Sequence, residues 1–479
     1  MSSLDLAVIA LYFGLTLGVG LWVSRRQQTA GDYFLGARDL PAWAILLSIV
    51  ATETSALTVI SVPAVAARGD LTFLQLPLGY LIGRIAVAAW LLPGYFRGEQ
   101  DTAYARLEAR FGPTTRRMMS GIFLLTRALG DGVRVYASAI PLTVLTGWSI
   151  PASVLAMSVV TLVYTWHGGL KAVVWVDVIQ LVVYLAGGVA ALAIAADLAG
   201  GGGAMLQAAA AAGKLRWIEP AVSFTSTYTL LGGLVGGAML SAASHGTDHL
   251  IVQRLLASRS LRDARVALVG SGVVVLAQFA LFLLIGTALW AAGLAPEGLP
   301  ADQLFSRFVV EHLPTGLAGL VIAAILAAAM STQSSAINAL ASSVTHDLYA
   351  GITGRRDPVL LLRVGRIWTV AWGVLITLVA LLFQAVAGGG QTPVVVFALA
   401  IASITYGGLL GAYLLAAGPA VIRGPHVILA VAIAVGTMLV LFLGKSPLAW
   451  PWYVPLGTLI TVVLGYGSAT LGSRQGVTG

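Results

Sequence analysis

The chain has 479 residues, of which 58% are hydrophobic and 10% charged, and it carries a formal net charge of +8. Its mean hydropathy is +0.92. A soluble protein of this length would carry roughly a quarter charged residues, so composition excludes a soluble globular enzyme and points to an all-α polytopic membrane protein. The chain contains no cysteine, which excludes a disulfide framework and thiol chemistry. The basic balance reflects cytoplasmic loops of a membrane protein rather than a nucleic-acid partner.

A membrane-crossing helix needs about 20 apolar residues. Thirteen spans are expected, at 4–23, 41–67, 72–96, 118–146, 149–167, 172–198, 226–256, 262–293, 315–349, 359–386, 393–419, 426–444 and 452–471. The first lacks a basic leader and a small-residue cleavage site, so it is read as a span, not a signal peptide. Basic residues alternate between loops. Arg25, Arg26 and Arg38 follow span one; Arg97, Arg106, Arg110, Arg116 and Arg117 follow span three; Lys171 follows span five. Arg254, Arg259, Arg262 and Arg265 surround the loop after span seven, and Arg355, Arg356 and Arg363 follow span nine. The opposite side holds Arg68, Lys214, Arg216, Arg307 and Lys445. The positive-inside rule then places the chain in a plasma (inner) membrane with its N-terminus outside and its C-terminus cytoplasmic. No loop is long enough for a separate soluble domain, so residues 1–479 form one transmembrane unit. Nothing in the sequence sets the oligomeric state.

Span two is interrupted by Thr52-Glu53-Thr54-Ser55 and Thr58, and a glutamate at mid-membrane marks a functional site. Gln75 lies near the outer end of span three. Span four carries Arg127, Asp131, Arg134 and Ser138 at spacings of three or four, hence on one helix face. With Glu53 these form two acids and two bases. They are either an ion-pair network or a substrate site in which Arg134 grips a carboxylate through its planar fork. Span seven breaks at Ser244-His245-Gly246-Thr247-Asp248, making His245 a further substrate candidate. Span nine holds Ser331, Thr332, Ser334 and Ser335, a hydroxyl cluster that lipid would reject and that suits a hard cation such as sodium.

Breaks in spans two and seven, five helices apart, point to a transporter of two inverted repeats, 41–198 and 226–419, with 4–23 and 426–471 peripheral. Motifs in chain order strengthen this. Asp32-Tyr33-Phe34-Leu35-Gly36-Ala37-Arg38, Gly168-Gly169-Leu170-Lys171-Ala172-Val173 with Trp175 and Asp177 to Gln180, Gly246-Thr247-Asp248 with Gln253-Arg254, and Met330-Ser331-Thr332 through Asn338 to His346-Asp347-Leu348-Tyr349 together resemble the sodium/solute symporter family. That family includes bacterial proline, sialic acid and galactose carriers and animal sodium/glucose carriers. The resemblance implies a LeuT-type fold with a five-plus-five helix core. It implies a sodium site built from the carbonyls of Ala51, Thr54 and Ala328 and the hydroxyls of Ser331 and Thr332. It also implies a place for Asp177 near the cytoplasmic end of span six, on the sodium release path; pairing with a loop arginine is the alternative. Substrate candidates are Thr52, Glu53, Ser55, Thr58, Gln75, Arg127, Asp131, Arg134 and His245. Glu53 stands where the family's sugar carriers have Asn, and Leu57-Thr58 where they have Glu-Gln, which disfavours a sugar and favours a small organic acid or zwitterion.

The expected function is sodium-coupled symport of a small polar organic solute by alternating access. A proton-coupled carrier on the same fold would instead use Glu53 or Asp131. An intramembrane enzyme built on Ser244 and His245 lacks a third orienting group, and a solute sensor is a further alternative. The histidines are scattered and there is no P-loop, so neither a transition-metal site nor a nucleotide motor is expected.

Overall fold

A computed structural model describes residues 2–23, 27–98, 100–299, 301–387 and 394–475. Arg25 and Arg26, counted above among the basic loop residues, lie outside them. The described residues are predominantly helical, with one isolated bridge between Leu40 and Ser258 and no strand among them. We label the principal helices α1 Ser3–Val23, α2 Ala42–Glu53, α3 Ala56–Arg68, α4 Thr72–Tyr95, α5 Pro113–Thr146, α6 Ile150–Leu198, α7 Gly237–Gly246, α8 His249–Leu256, α9 Leu261–Ala291, α10 Leu317–Ser343, α11 Pro358–Ala387, α12 Val394–Ala417, α13 Gly424–Leu443 and α14 Tyr453–Gln475.

Among the described residues, eight helices are long and apolar enough to cross a membrane, or nine if the bent α2–α3 pair is one span. The thirteen expected from sequence differ from this for identifiable reasons. The segments at 149–167 and 172–198 are the two arms of α6, which meet at a sharp non-helical kink at Gly169 and count as one helix though each is about long enough to cross a membrane. Gly169 has φ 52° and ψ −154°, and a Cβ there would lie 2.3 Å from the Tyr33 carbonyl, so glycine alone fits the bend. Helix α5 carries Arg127, Asp131 and Arg134, and α7 and α8 are short, so none reads as a plain apolar span.

Helix α10 is the axis of the molecule. Every residue from Val321 to Ser343 on it is buried, packed against both arms of α6, α5, α1 and α11. Its small residues let those helices approach closely, which is how helices associate where lipid supplies no hydrophobic drive. The same principle joins α4 to α7: added Cβ atoms at Gly79 and Gly83 would lie 2.1 Å and 2.2 Å from the carbonyls of Gly233 and Ala238.

Both expected breaks are present. Helix α2 stops at Glu53, and Thr54 and Ser55 are extended (ψ 105° and 166°) before α3 begins, with a bend of 64° between the two helices. The extension takes the Ala51 and Thr54 carbonyls out of the helical ladder. Gln278 of α9 holds the break through paired hydrogen bonds with Thr54 Oγ1, at 2.9 and 2.6 Å. Between α7 and α8, Thr247 and Asp248 leave the helical region, and Asp248 caps α8 by accepting from the Leu250 N–H at 2.9 Å.

Candidate functional site

Two adjoining cavities meet at these breaks. The smaller is a tight cleft lined by Ala51, Thr54, Gln180, Leu181, Tyr184, Ala327, Ala328 and Ser331. The structure therefore gathers four of the five expected sodium ligands around one pocket. The fifth, Thr332, stands just behind it, donating to the Ala328 carbonyl at 3.1 Å. Ser331 Oγ donates to Asp177 Oδ1 at 2.6 Å, which leaves its lone pairs to the pocket. Two buried polar atoms on the lining, Gln180 Oε1 and Tyr184 OH, have no hydrogen-bond partner. Gln180 Nε2 donates to Tyr12 of α1 at 3.1 Å, which turns the amide oxygen away from that helix. Orphaned oxygens beside loose carbonyls and a hydroxyl suit a desolvated hard cation. Sequence reasoning missed Gln180 and Tyr184 as lining residues; their spacing of three and seven from Asp177 on one helix was the available signal.

Asp177 is fully buried, eight residues past the Gly169 kink, and bonds the Ser331 that lines the pocket. It accepts from Ser48 Oγ at 2.5 Å and Ser331 Oγ at 2.6 Å and pairs with Arg254 at 3.2 Å. Arg254, counted above with the loop arginines, is itself fully buried and also bonds Ser48 and Ser335.

The larger cavity encloses about 1230 Å³, counting its mouth. It runs from Thr52, Glu53, Ser55 and Thr58 past Arg127, Arg134 and His245 to Val65, Phe73, Tyr228 and Trp450. Seven of the nine substrate candidates thus line one space. Asp131 and Gln75 do not. Asp131 is buried behind the wall, 2.8 Å from Arg134 and 3.6 Å from Arg127, so it acts through them. Gln75 is fully buried, donating to the Thr72 and Tyr228 carbonyls and accepting from the Glu219 N–H. That ties an outer loop to α4.

Glu53 does not pair with the α5 charges, as the two-acid, two-base grouping implied. It pairs with Arg84 of α4, a fully buried arginine that also donates to Ser271 Oγ at 2.6 Å. Arg127 is engaged by Asp248 at 2.7 Å and by Tyr406 at 3.0 Å, and Tyr406 donates to Asp248 at 2.6 Å. The charges that line or directly support the cavity are Glu53, Asp131 and Asp248 against Arg84, Arg127 and Arg134, three of each sign. Arg134 differs from the other two arginines: its ion-pair partner is the Asp131 it shares with Arg127, and its side chain is 21% exposed against 9% for Arg127 and 0% for Arg84. Arg134 also lines the cavity.

Ser244 and His245 do form a hydrogen bond, at 2.8 Å. That bond uses Nδ1; at the opposite nitrogen Glu53 Oε2 stands 3.6 Å away, beyond hydrogen-bond reach and paired with Arg84, and among the described residues no cluster of three metal-ligating side chains is present.

A family model described as the sodium:solute symporter family matches residues 33–414. The chain is 30% identical over 429 residues to the human sodium/iodide cotransporter, covering 86% of this chain and 65% of that protein, just under two thirds of its length. It is 29% identical to a sodium/sialic acid symporter of Proteus mirabilis, over 79% of this chain and 78% of that one. It is 27% identical to the human sodium-coupled monocarboxylate transporter 2, over 99% and 79%. A solved substrate-bound outward-open state of a Na⁺-coupled sialic acid symporter superimposes with a TM-score of 0.88 at 26% identity, covering 98% of each chain. These relatives are transporters, and the architecture is the LeuT-type fold of sodium symporters.

Proposed function

We propose, from the premise that this chain belongs to the sodium:solute symporter family, that it imports a carboxylate-bearing organic solute together with sodium. The observation that carries the substrate class is Arg134, an arginine on the cavity wall whose acid partner is shared and whose side chain is more exposed than those of Arg84 and Arg127. A guanidinium fork matches a carboxylate with two parallel hydrogen bonds. The relatives' named solutes, iodide, sialic acid and monocarboxylates, support an anionic group on the cargo.

Sodium is a co-substrate in this reading. The Ala51, Thr54 and Ala328 carbonyls and the Ser331 and Thr332 hydroxyls would hold it, with Gln180 Oε1 within the same pocket. The ion would join α2 at its break to α10, favouring the outward-open arrangement and ordering Thr52 and Glu53 on the solute side. We place residues 41–198 and 226–419 as the two inverted repeats, the N-terminus outside and the C-terminus in the cytoplasm of a plasma-membrane carrier. Alternating access then follows from one helix bundle rocking against the other around the midplane site.

One sodium entering through 100 mV releases about 2.3 kcal/mol, and a tenfold sodium gradient adds about 1.4 kcal/mol. For a solute of no net charge these support about 500-fold accumulation. For a monoanion moving with one sodium the electrical part cancels, leaving about tenfold.

The test is uptake into proteoliposomes of radiolabelled carboxylates, driven by an inward sodium gradient. We expect accumulation that disappears when potassium or choline replaces sodium. Accumulation driven by a pH gradient without sodium would overturn the reading and point to Glu53 or Asp131 as a proton site.

A further inference from the structure

Glu53 and His245 face each other across the broken ends of α2 and α7, with His245 Nε2 3.6 Å from Glu53 Oε2. His245 is 2% exposed. Its Nδ1 lies 3.1 Å from the Ser241 carbonyl and 2.8 Å from Ser244 Oγ. A carbonyl only accepts, so the network assigns the ring proton to Nδ1 and leaves a lone pair on Nε2. Nε2 has no hydrogen-bond partner and stands 3.6 Å from Glu53 Oε2, another acceptor. That separation is beyond hydrogen-bond reach, as expected of two acceptors held apart by their surroundings. The contacts of Glu53 with Arg84 and His245 both fall on Oε2, so Oε1 is left to the cavity as well. An unpaired acceptor buried this deeply costs about 1–3 kcal/mol, and a donor arriving from the cavity would recover it.

We infer that Glu53 and His245 form a donor-selecting pole opposite Arg134, and that the solute is zwitterionic: a carboxylate for Arg134 and an ammonium for Glu53 and His245. This rests on the carboxylate reading above. An ammonium offers three hydrogens and satisfies both acceptors at once, whereas a hydroxyl offers one and satisfies a single acceptor. Charge favours the same class. The cavity's three acids and three bases cancel, and a zwitterion keeps that balance while pairing each of its ends. The accumulation arithmetic agrees, because a solute without net charge draws on the full electrical driving force of one sodium.

The experiment uses the purified full-length chain in sodium buffer, reading binding by displacement and by thermal stabilisation. The probes are matched triplets, amino, hydroxy and unsubstituted, of 2-substituted and 4-substituted butanoate and 6-substituted hexanoate. At the separation the cavity accepts, the amino member should bind about tenfold or more tighter than the unsubstituted acid, the size of a charge-assisted hydrogen bond. The hydroxy member should fall between them. His245→Phe should collapse that ratio, weakening the amino member far more than the unsubstituted acid, and His245→Gln, which can still present an acceptor, should restore part of it. Equal binding within every triplet would overturn the inference while sparing the carboxylate reading. So would His245→Phe weakening all three members equally, the mark of a structural role. Absence of sodium-dependent binding for every carboxylate would overturn both.

Discussion

Removing one partner of the Asp177–Arg254 pair by Asp177→Ala should destabilise the protein by about 3–5 kcal/mol, the usual cost of leaving a buried charge unpaired. Both side chains are 0% exposed, and the carboxylate also accepts from Ser48 and Ser331. The loss therefore strands a guanidinium between α2, α8 and α10. Adding Arg254→Met removes the stranded charge and should recover much of the melting midpoint, because the two positions act as one unit. The Asp177→Ala melt should also lose its response to sodium, since Ser331 Oγ is oriented by Asp177 Oδ1 at the edge of the ion pocket. Melting curves in detergent for the wild type, both single variants and the double variant check this. Additive effects within about 0.5 kcal/mol would show the pair to be uncoupled.

The second large effect belongs to Arg134. Arg134→Gln should weaken binding of every carboxylate that the wild type accepts by about 10- to 150-fold, corresponding to about 1.5–3 kcal/mol for hydrogen bonds to a charged group. Folding should survive, because Asp131 retains Arg127 at 3.6 Å and Arg127 retains Asp248 and Tyr406. Arg134→Lys keeps the charge without the planar fork and should fall between the two. Equal sodium-dependent uptake of all carboxylates by wild type and Arg134→Gln would assign Arg134 to a purely structural ion-pair network.

The breaks and the hydroxyl cluster were legible in the sequence because lipid cannot satisfy polar groups inside an apolar run, so the protein interior must. Thr52-Glu53-Thr54-Ser55 and Ser331-Thr332 stand out in this way, and both meet at the ion pocket. The partners of the charged residues were not legible. Arg84 is a lone cation in an otherwise apolar helix, where a side chain reaching for the membrane surface is the ordinary reading. Only the packing of α4 against α9 and the α2 break turns it inward onto Glu53 and Ser271. Arg254 sits at the end of a span beside Arg259 and Arg262 and so joins a basic loop by pattern, yet α8 folds back under α2 and buries it. Asp177 meets Arg254, Ser48 and Ser331 because the arm of α6 beyond the Gly169 kink packs against α2 and α10, a packing that pattern alone does not show. Gln75 is a polar residue near a span end, a pattern shared by cavity-lining groups and loop anchors. Its three hydrogen bonds make it the latter.

The most direct test of the central claim is sodium binding to the purified chain, read as ²²Na⁺ retention or sodium-dependent stabilisation, in wild type and in the Ser331→Ala/Thr332→Ala double variant. The account predicts a response to sodium that potassium and choline do not reproduce, lost in the double variant although that variant still melts cooperatively without sodium. A wild type indifferent to sodium, or a double variant that responds as the wild type does, would contradict it.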